Sequence, residues 1–329
     1  MRWMLKLLLV LSALWSGYWY LGFTAQKQLY SNLLETGRSQ GWVAESQDLA
    51  VLGYPDRFDT TLNEFSFQTP DKRWGWSGDS FQIKALSYRL NHLALAWQGR
   101  QNVQTPEGSF GFEAGLFLAD LVFSPDANLP LSRLQLEGEA IDISIPSGLK
   151  ADITTLNADV FQDGTTPTRY QLDLDLRDIS LPPTFVSSIL PGRSLSGIVE
   201  RIHISAQLDF DREIDRTVLG RGSAPAPVFA LIEPSQIRWG NAGLTVEGEL
   251  SAANNGYIEG RLSFDVSNWP PLFEAFKAMS NLSATQRITL KRALDSASSQ
   301  GRLQFTLQFE NGQTRIGPFA IGPAPIYPF

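Results

Sequence analysis

This sequence predicts a mainly β protein: an antiparallel, curved amphipathic sheet with a few short helices and one N-terminal apolar helix. Three observations carry that expectation. After Val43 most segments alternate apolar and polar residues with a period of two, as half-buried strands do. Asn254-Asn255-Gly256 and Asn311-Gly312 stand between such runs, where residues that accept positive φ make hairpin turns. Residues 7–23 form an apolar run preceded by Arg2 and Lys6.

The apolar run comes first. It approaches the roughly 20 residues that span a bilayer, and exceeds the roughly 7–15 of a signal-peptide core. Small residues are not placed for cleavage, since Ala25 has Phe23 two positions before it. Tyr18, Trp19 and Tyr20 resemble an interfacial aromatic belt. Residues 1–25 therefore read as an uncleaved anchor, with Leu7, Leu8, Leu9, Val10, Leu11, Leu14, Trp15 and Trp19 as its membrane residues. A cleaved signal is the other reading. By the positive-inside rule the remainder, residues 26–329, is exported. The expected location is the inner membrane of a Gram-negative bacterium, single-pass, with the bulk of the chain periplasmic.

Residues 26–40 place Leu29, Leu33 and Leu34 at helical spacing and continue the anchor helix. Strands follow, among them Phe65-Ser66-Phe67, Phe81-Gln82-Ile83, Ile141-Asp142-Ile143 and the run of alternate leucines Leu172, Leu174 and Leu176. Further runs centre on Ile202 and Ile204, on Leu244 and Val246, on Leu262 and Phe264, and on Phe305 and Leu307. That is ten or so strands. Short helices are expected at 183–189, at 271–279 behind Pro271, and at 283–298, where Ser283 and Gln286 have capping-box spacing. Ala224-Pro225-Ala226-Pro227 is a linker candidate, and the exported part divides into possible halves at about 42–190 and 195–329. Arg73-Trp74-Gly75 and Arg238-Trp239-Gly240 hint at a repeat.

Composition narrows the function. With 27 Lys+Arg against 34 Asp+Glu the net charge is −7, and no basic block offers phosphate neutralisation, so nucleic acid is not an expected partner. The absence of cysteine removes disulfides, thiolate metal sites and a cysteine nucleophile. His92 and His203 are too few for histidine-rich metal chemistry and read as surface histidines. The carboxylate pairs Asp173/Asp175, Asp209/Asp211 and Glu247/Glu249 share strand faces and read as solvated acids. Gly220-Arg221-Gly222 lacks the phosphate-loop lysine, and Gly192-Arg193-Ser194-Leu195-Ser196 misses the nucleophile elbow by its last glycine. Trp74, Trp76, Trp97, Trp239 and Trp269 read as core or interface anchors. No catalytic residue, metal or cofactor is expected, and no enzyme.

Three short helices leave much apolar strand face to cover. A second packed sheet, a closed barrel, or a groove for an apolar ligand would each do so. Pro318, Pro323, Pro325 and Pro328 argue against a final paired strand ending at Phe329, and so against an outer-membrane barrel. In the groove reading the lining is Leu172, Leu174, Ile204, Leu208, Val246, Phe264, Phe305 and Leu307, and the ligand is phospholipid or another apolar molecule. In the closed-core alternative the protein is a structural or assembly factor that binds other envelope proteins.

The N-terminal anchor with its aromatic tail and several short motifs, in order, resemble a bacterial envelope family known as domain of unknown function 2125: Gly53-Tyr54-Pro55-Asp56-Arg57-Phe58, Trp74, Asn91-His92 with Trp97-Gln98-Gly99, Arg238-Trp239-Gly240, Asn311-Gly312, Gly317-Pro318 and Gly322-Pro323. Tyr54 stands where the family more often has Phe. The resemblance spans nearly the whole chain and implies no activity. More distantly it is similar to AsmA-like envelope proteins, which implies a β-groove concerned with lipid.

Overall fold

The structure, a computed structural model, describes residues 2–145, 149–189, 195–219, 225–253, 256–279, 283–299 and 301–326. Helix α1 runs unbroken over Arg2–Ser39. Eight strands follow: β1 (Val43–Leu52), β2 (Arg57–Gln68), β3 (Gly75–Leu86), β4 (Arg89–Thr105), β5 (Gly108–Phe123), β6 (Leu131–Ser144), β7 (Lys150–Gln162) and β8 (Arg169–Ser180). Then come α2 (Pro183–Ile189), β9 (Ile198–Phe210), β10 (Pro227–Trp239), β11 (Ala242–Ala252) and β12 (Ile258–Ser267). Helices α3 (Trp269–Met279) and α4 (Ala284–Ala297) precede β13 (Ser298–Ser299), β14 (Arg302–Glu310), β15 (Gln313–Ile316) and β16 (Phe319–Pro323).

Among the described residues sixteen strands form one antiparallel sheet in chain order, β1 to β12 and then β14–β15–β16, with the two-residue β13 off this path on β14. The second packed sheet weighed from the sequence is absent among them. Every strand joins this order, and helices cover the apolar face where it is covered. Ten strands were expected. The extra ones include the short β13, β15 and β16 but also the long, regularly paired β7, and in β10 Pro234 sits at a register shift, which hides the period of two.

The tail corrects the sequence expectation directly. Residues 319–323 do form a paired strand, β16 on β15, because Pro318 falls in the turn before it and Pro323 closes it. An edge strand tolerates proline, having one side without ladder bonds. The Pro323 carbonyl even accepts the Thr314 hydroxyl at 2.8 Å. The Asn311-Gly312 hairpin is as expected, with φ of 52° and 72° joining β14 to β15. Asn254 and Asn255, and the glycine motifs at 192–194 and 220–222, lie outside the described residues, as do Pro328 and Phe329. Pro227 opens β10, which pairs with β9, so the described end of the Ala-Pro stretch joins neighbouring strands of one sheet. Helix α3 starts at Trp269, two residues before the expected Pro271, with Pro270 and Pro271 both in its first turn. The Ser283 carbonyl accepts the Arg287 N–H at 3.0 Å and so begins α4; the side chain of Gln286 is outside the described set.

The chain forms two compact units, Met1–Pro125 with Leu136–Gly148, and Asp126–Gln135 with Leu149–Phe329. In the first, Leu62, Phe65 and Phe81 form a buried cluster with Trp76 and Trp97 against it. The rings meet edge to face, Phe65–Trp76 at 4.6 Å and Trp76–Phe81 at 5.0 Å between centroids. The Trp97-Gln98-Gly99 motif is the bulge of β4, where the register shifts between Ala96 and Gln101. Gln101, fully buried there, accepts from Trp76 Nε1 at 3.2 Å and donates to the carbonyls of Gln98 and Ser80. In the second unit, α2 and α3 pack on β8–β11 around Trp239, with Ile179, Val186, Ile189, Val199 and Ala275. The two Arg-Trp-Gly triplets occupy unlike places. Trp239 is 8% exposed at the end of β10, whereas Trp74 is 53% exposed in the loop before β3 and is not a core anchor.

Candidate functional site

In the second unit the chain leaves the sheet after β12, makes α3 and α4, and returns at β14. The two helices thereby roof the apolar face of the very strands they interrupt. Val266, Trp269, Phe273, Leu294 and Leu303 are buried between roof and sheet. Beside them an apolar cavity of about 310 Å³ remains, lined by Phe264, Leu303, Phe305 and Leu307 from the sheet, and by Leu272, Phe276 and Leu290 from the helices. Ile316 and Ile321 of β15 and β16 continue the wall. Phe276 is 46% exposed, so the lining reaches solvent at the helical side.

Phe264, Phe305 and Leu307, expected from the sequence as groove lining, meet here. The Phe264 and Phe305 rings, cross-strand partners, stack at 4.9 Å with planes 6° apart. Val246 is the strand partner of Phe264 but does not line the cavity. Leu172, Leu174, Ile204 and Leu208 lie on β8 and β9, where Leu174 pairs with Ile204. They are half-buried and stand apart from the cavity. The roof residues, Leu272, Phe273, Phe276, Leu290 and Leu294, were missed as lining. Their signal is the apolar spacing of PLFEAFKAM and of Leu290 and Leu294, which identifies a helix without saying what it covers.

The opposite, wet face of the same unit is a lattice of ion pairs within and between strands rather than loosely solvated acids. Arg169 grips Asp209 with two bonds, 2.6 and 2.8 Å. Arg201 and Arg177 share Asp175 at 2.7 and 2.9 Å, and Arg302 holds Asp265 through Nε at 2.7 Å with Gln304 beside it. The Arg169 guanidinium holds Asp209 below the usual carboxylate range. Burial pushes Asp175 upward, but its bonds from Arg201 and Arg177 outweigh that and lower it; Arg302, then Gln304, lower Asp265. Carboxylates depressed in the folded state contribute stability above their unfolded value and lose it as pH falls through the folded one. Thermal unfolding measured from neutral pH downward is therefore expected to show the melting temperature falling below about pH 4, less steeply in Asp209→Asn.

His92 Nε2 lies 2.5 Å from Asp120 Oδ1, and His203 Nε2 lies 3.7 Å from Asp173, both on the polar face. Among the described residues no three His, Cys, Asp or Glu side chains gather as metal ligands.

Helix α1 is long and apolar enough to cross a membrane over Lys6–Ser39. Leu7, Leu8, Leu9, Val10, Leu11 and Leu14 are exposed. Trp15 and Trp19 instead meet the first unit: Trp15 Nε1 donates to the Pro55 carbonyl at 2.8 Å and Trp19 Nε1 to that of Arg57 at 2.9 Å. Tyr18 donates to the Ser87 carbonyl at 2.7 Å. The Trp19 ring stacks on Phe58 and meets Tyr54 edge-on. A Cβ at Gly22 would sit 2.4 Å from the buried Phe58 ring, so glycine permits this approach. The Gly53-Tyr54-Pro55-Asp56-Arg57-Phe58 motif is thus the seat of the helix. Gly53 is suited to its φ of 107°, where a Cβ would press within 2.8 Å of the Arg57 carbonyl. Further along, Tyr30, Leu33, Leu34 and Gly37 face Ala44, Leu49, Leu62 and Phe67 across a second apolar cavity of about 260 Å³.

The profile of a family described as an uncharacterized protein conserved in bacteria (DUF2125) matches residues 19–325, a stretch that includes every motif from Gly53 to Pro323 but not residues 7–18 of the apolar run. No curated protein and no solved structure matches the chain.

Proposed function

The chain belongs to this bacterial family, and on that premise we propose that it is a non-enzymatic envelope protein that holds an apolar ligand, an acyl chain of phospholipid, beneath α3 and α4. It is held at the inner membrane by α1, with the β units in the periplasm. The kinship with AsmA-like lipid proteins belongs to the same proposal. One observation carries it: the cavity of about 310 Å³ has an apolar lining and reaches solvent at Phe276. Ligand pockets run from about 300 to 1,000 Å³, so this one suits a single chain and leaves a headgroup outside. A second reading, a structural or assembly factor, is favoured by the closed packing of α2 and α3 around Trp239.

A photoreactive phenylalanine analogue placed in the full-length protein in cells separates the two. At Phe276 illumination is expected to give a phospholipid adduct, identified by mass spectrometry. At Gln304, next to Phe305 but on the opposite strand face, it is expected to give none. Protein adducts alone at Phe276 would replace the lipid reading with the assembly reading.

A further inference from the structure

We infer that the β1–β2 and β3–β4 hairpin tips enter the outer leaflet of the bilayer beside α1, so that the first unit touches the membrane as well as being tethered to it. This rests on the proposed span. The apolar run begins after Lys6, and residues 7–14 cover only about 12 Å of helix against a hydrocarbon core of about 30 Å. The remaining apolar residues, 15–23, are the ones seated on the tips through Trp15, Ser16, Tyr18, Trp19 and Gly22. If the run spans, the tips go in with it.

The tips are equipped for that. Leu52, Tyr54, Tyr88 and Leu90 present large exposed apolar surfaces there, 57–66% exposed. Loop backbone is costly in a membrane unless its polar groups are paired within the protein. Here the carbonyls of Pro55, Arg57 and Ser87 are capped by indole and phenol donors from α1. The Arg57 N–H bonds the Gly53 carbonyl and the Ser87 N–H bonds the Asp56 carbonyl, both at 2.9 Å. Exposed Asp56, Arg57 and Arg89 cannot rest in hydrocarbon, so the leaflet must thin around the tips and bring headgroups and water down to them, where arginines reach phosphate.

The chain contains no cysteine, so a single introduced thiol reports one place. Full-length Leu11→Cys, Leu52→Cys, Leu90→Cys and Glu107→Cys are labelled with an environment-sensitive fluorophore. Each is reconstituted in vesicles of phosphatidylethanolamine and phosphatidylglycerol, with and without spin-labelled lipid. Glu107 lies at the far end of β4, about 50 Å from the tips. Quenching with a blue-shifted emission is expected at Leu11, Leu52 and Leu90 and not at Glu107. Quenching at Leu11 alone would overturn tip insertion while leaving the span intact. No quenching at Leu11 would overturn the span and the inference resting on it. Equal quenching at Glu107 would mean that the unit lies flat on the lipid, and would overturn it too.

Discussion

Trp239→Ala is expected to lose about 3–5 kcal/mol of stability, the usual cost of truncating a buried large aromatic. Trp239 is 8% exposed in the cluster that joins α2 and α3 to β8–β11, so its removal leaves a void against Ile179, Val186, Val199 and Ala275. At about 2–4 °C per kcal/mol for a unit of this size, the melting temperature should drop by about 6–20 °C. The indole also donates to the Ser196 carbonyl at 2.8 Å. Ser196 is exposed, so water can replace that donor, and Trp239→Phe should cost much less than Trp239→Ala. Thermal unfolding of both variants checks this. Equal losses would shift the importance of Trp239 from packing to its hydrogen bond.

Phe264→Asp is expected to abolish the phospholipid adduct at Phe276 while the protein still unfolds cooperatively. A carboxylate in this wall would face apolar atoms from every neighbour that an acyl chain would touch, including the stacked Phe305 ring. Yet Phe264 is half-buried on a cavity that reaches solvent, so the charge can keep some water and the folding cost stays below that of a sealed core. Phe264→Leu keeps the lining apolar and should keep the adduct. Should Phe264→Asp instead unfold the protein as Trp239→Ala does, the face is a closed core and the assembly reading gains.

Strands with one wet and one dry face were legible because alternation is the physical signature of that burial. Leu172, Leu174 and Leu176 fall on β8, with Leu176 against the Trp239 cluster, and Phe264 and Phe305 fall on β12 and β14 and pack against the cluster beneath α3 and α4. β10 was not legible, since Pro234 and a register shift interrupt its period, and buried Ser235 caps the Ser205 N–H at 3.0 Å from inside the irregularity. Nor was the end of the chain, where prolines at the borders of an edge strand look like breakers. For the site, period two identified the floor, but which stretch of floor becomes a cavity depends on where α3 and α4 land. That is a tertiary fact no local pattern encodes. Trp15 and Trp19 show the same limit: an aromatic belt and a docking surface have one composition, and only the partner loop distinguishes them.

Because each strand pairs with its neighbours in the chain, the sheet has an order in time as well as in space. A nascent polypeptide, in which α1 precedes the sheet, can close each ladder as soon as the next strand appears. No early strand waits with a bare edge for a distant partner, the circumstance that slows β proteins and exposes them to aggregation. The longest pause lies between β12 and β14, while α3 and α4 emerge. For that interval the Phe264 edge is unpaired, and the roof of the cavity is made before its floor is complete. Completion of the cavity is therefore among the last events in the life of the nascent chain, and the unpaired Phe264 edge is where a chaperone would find its substrate.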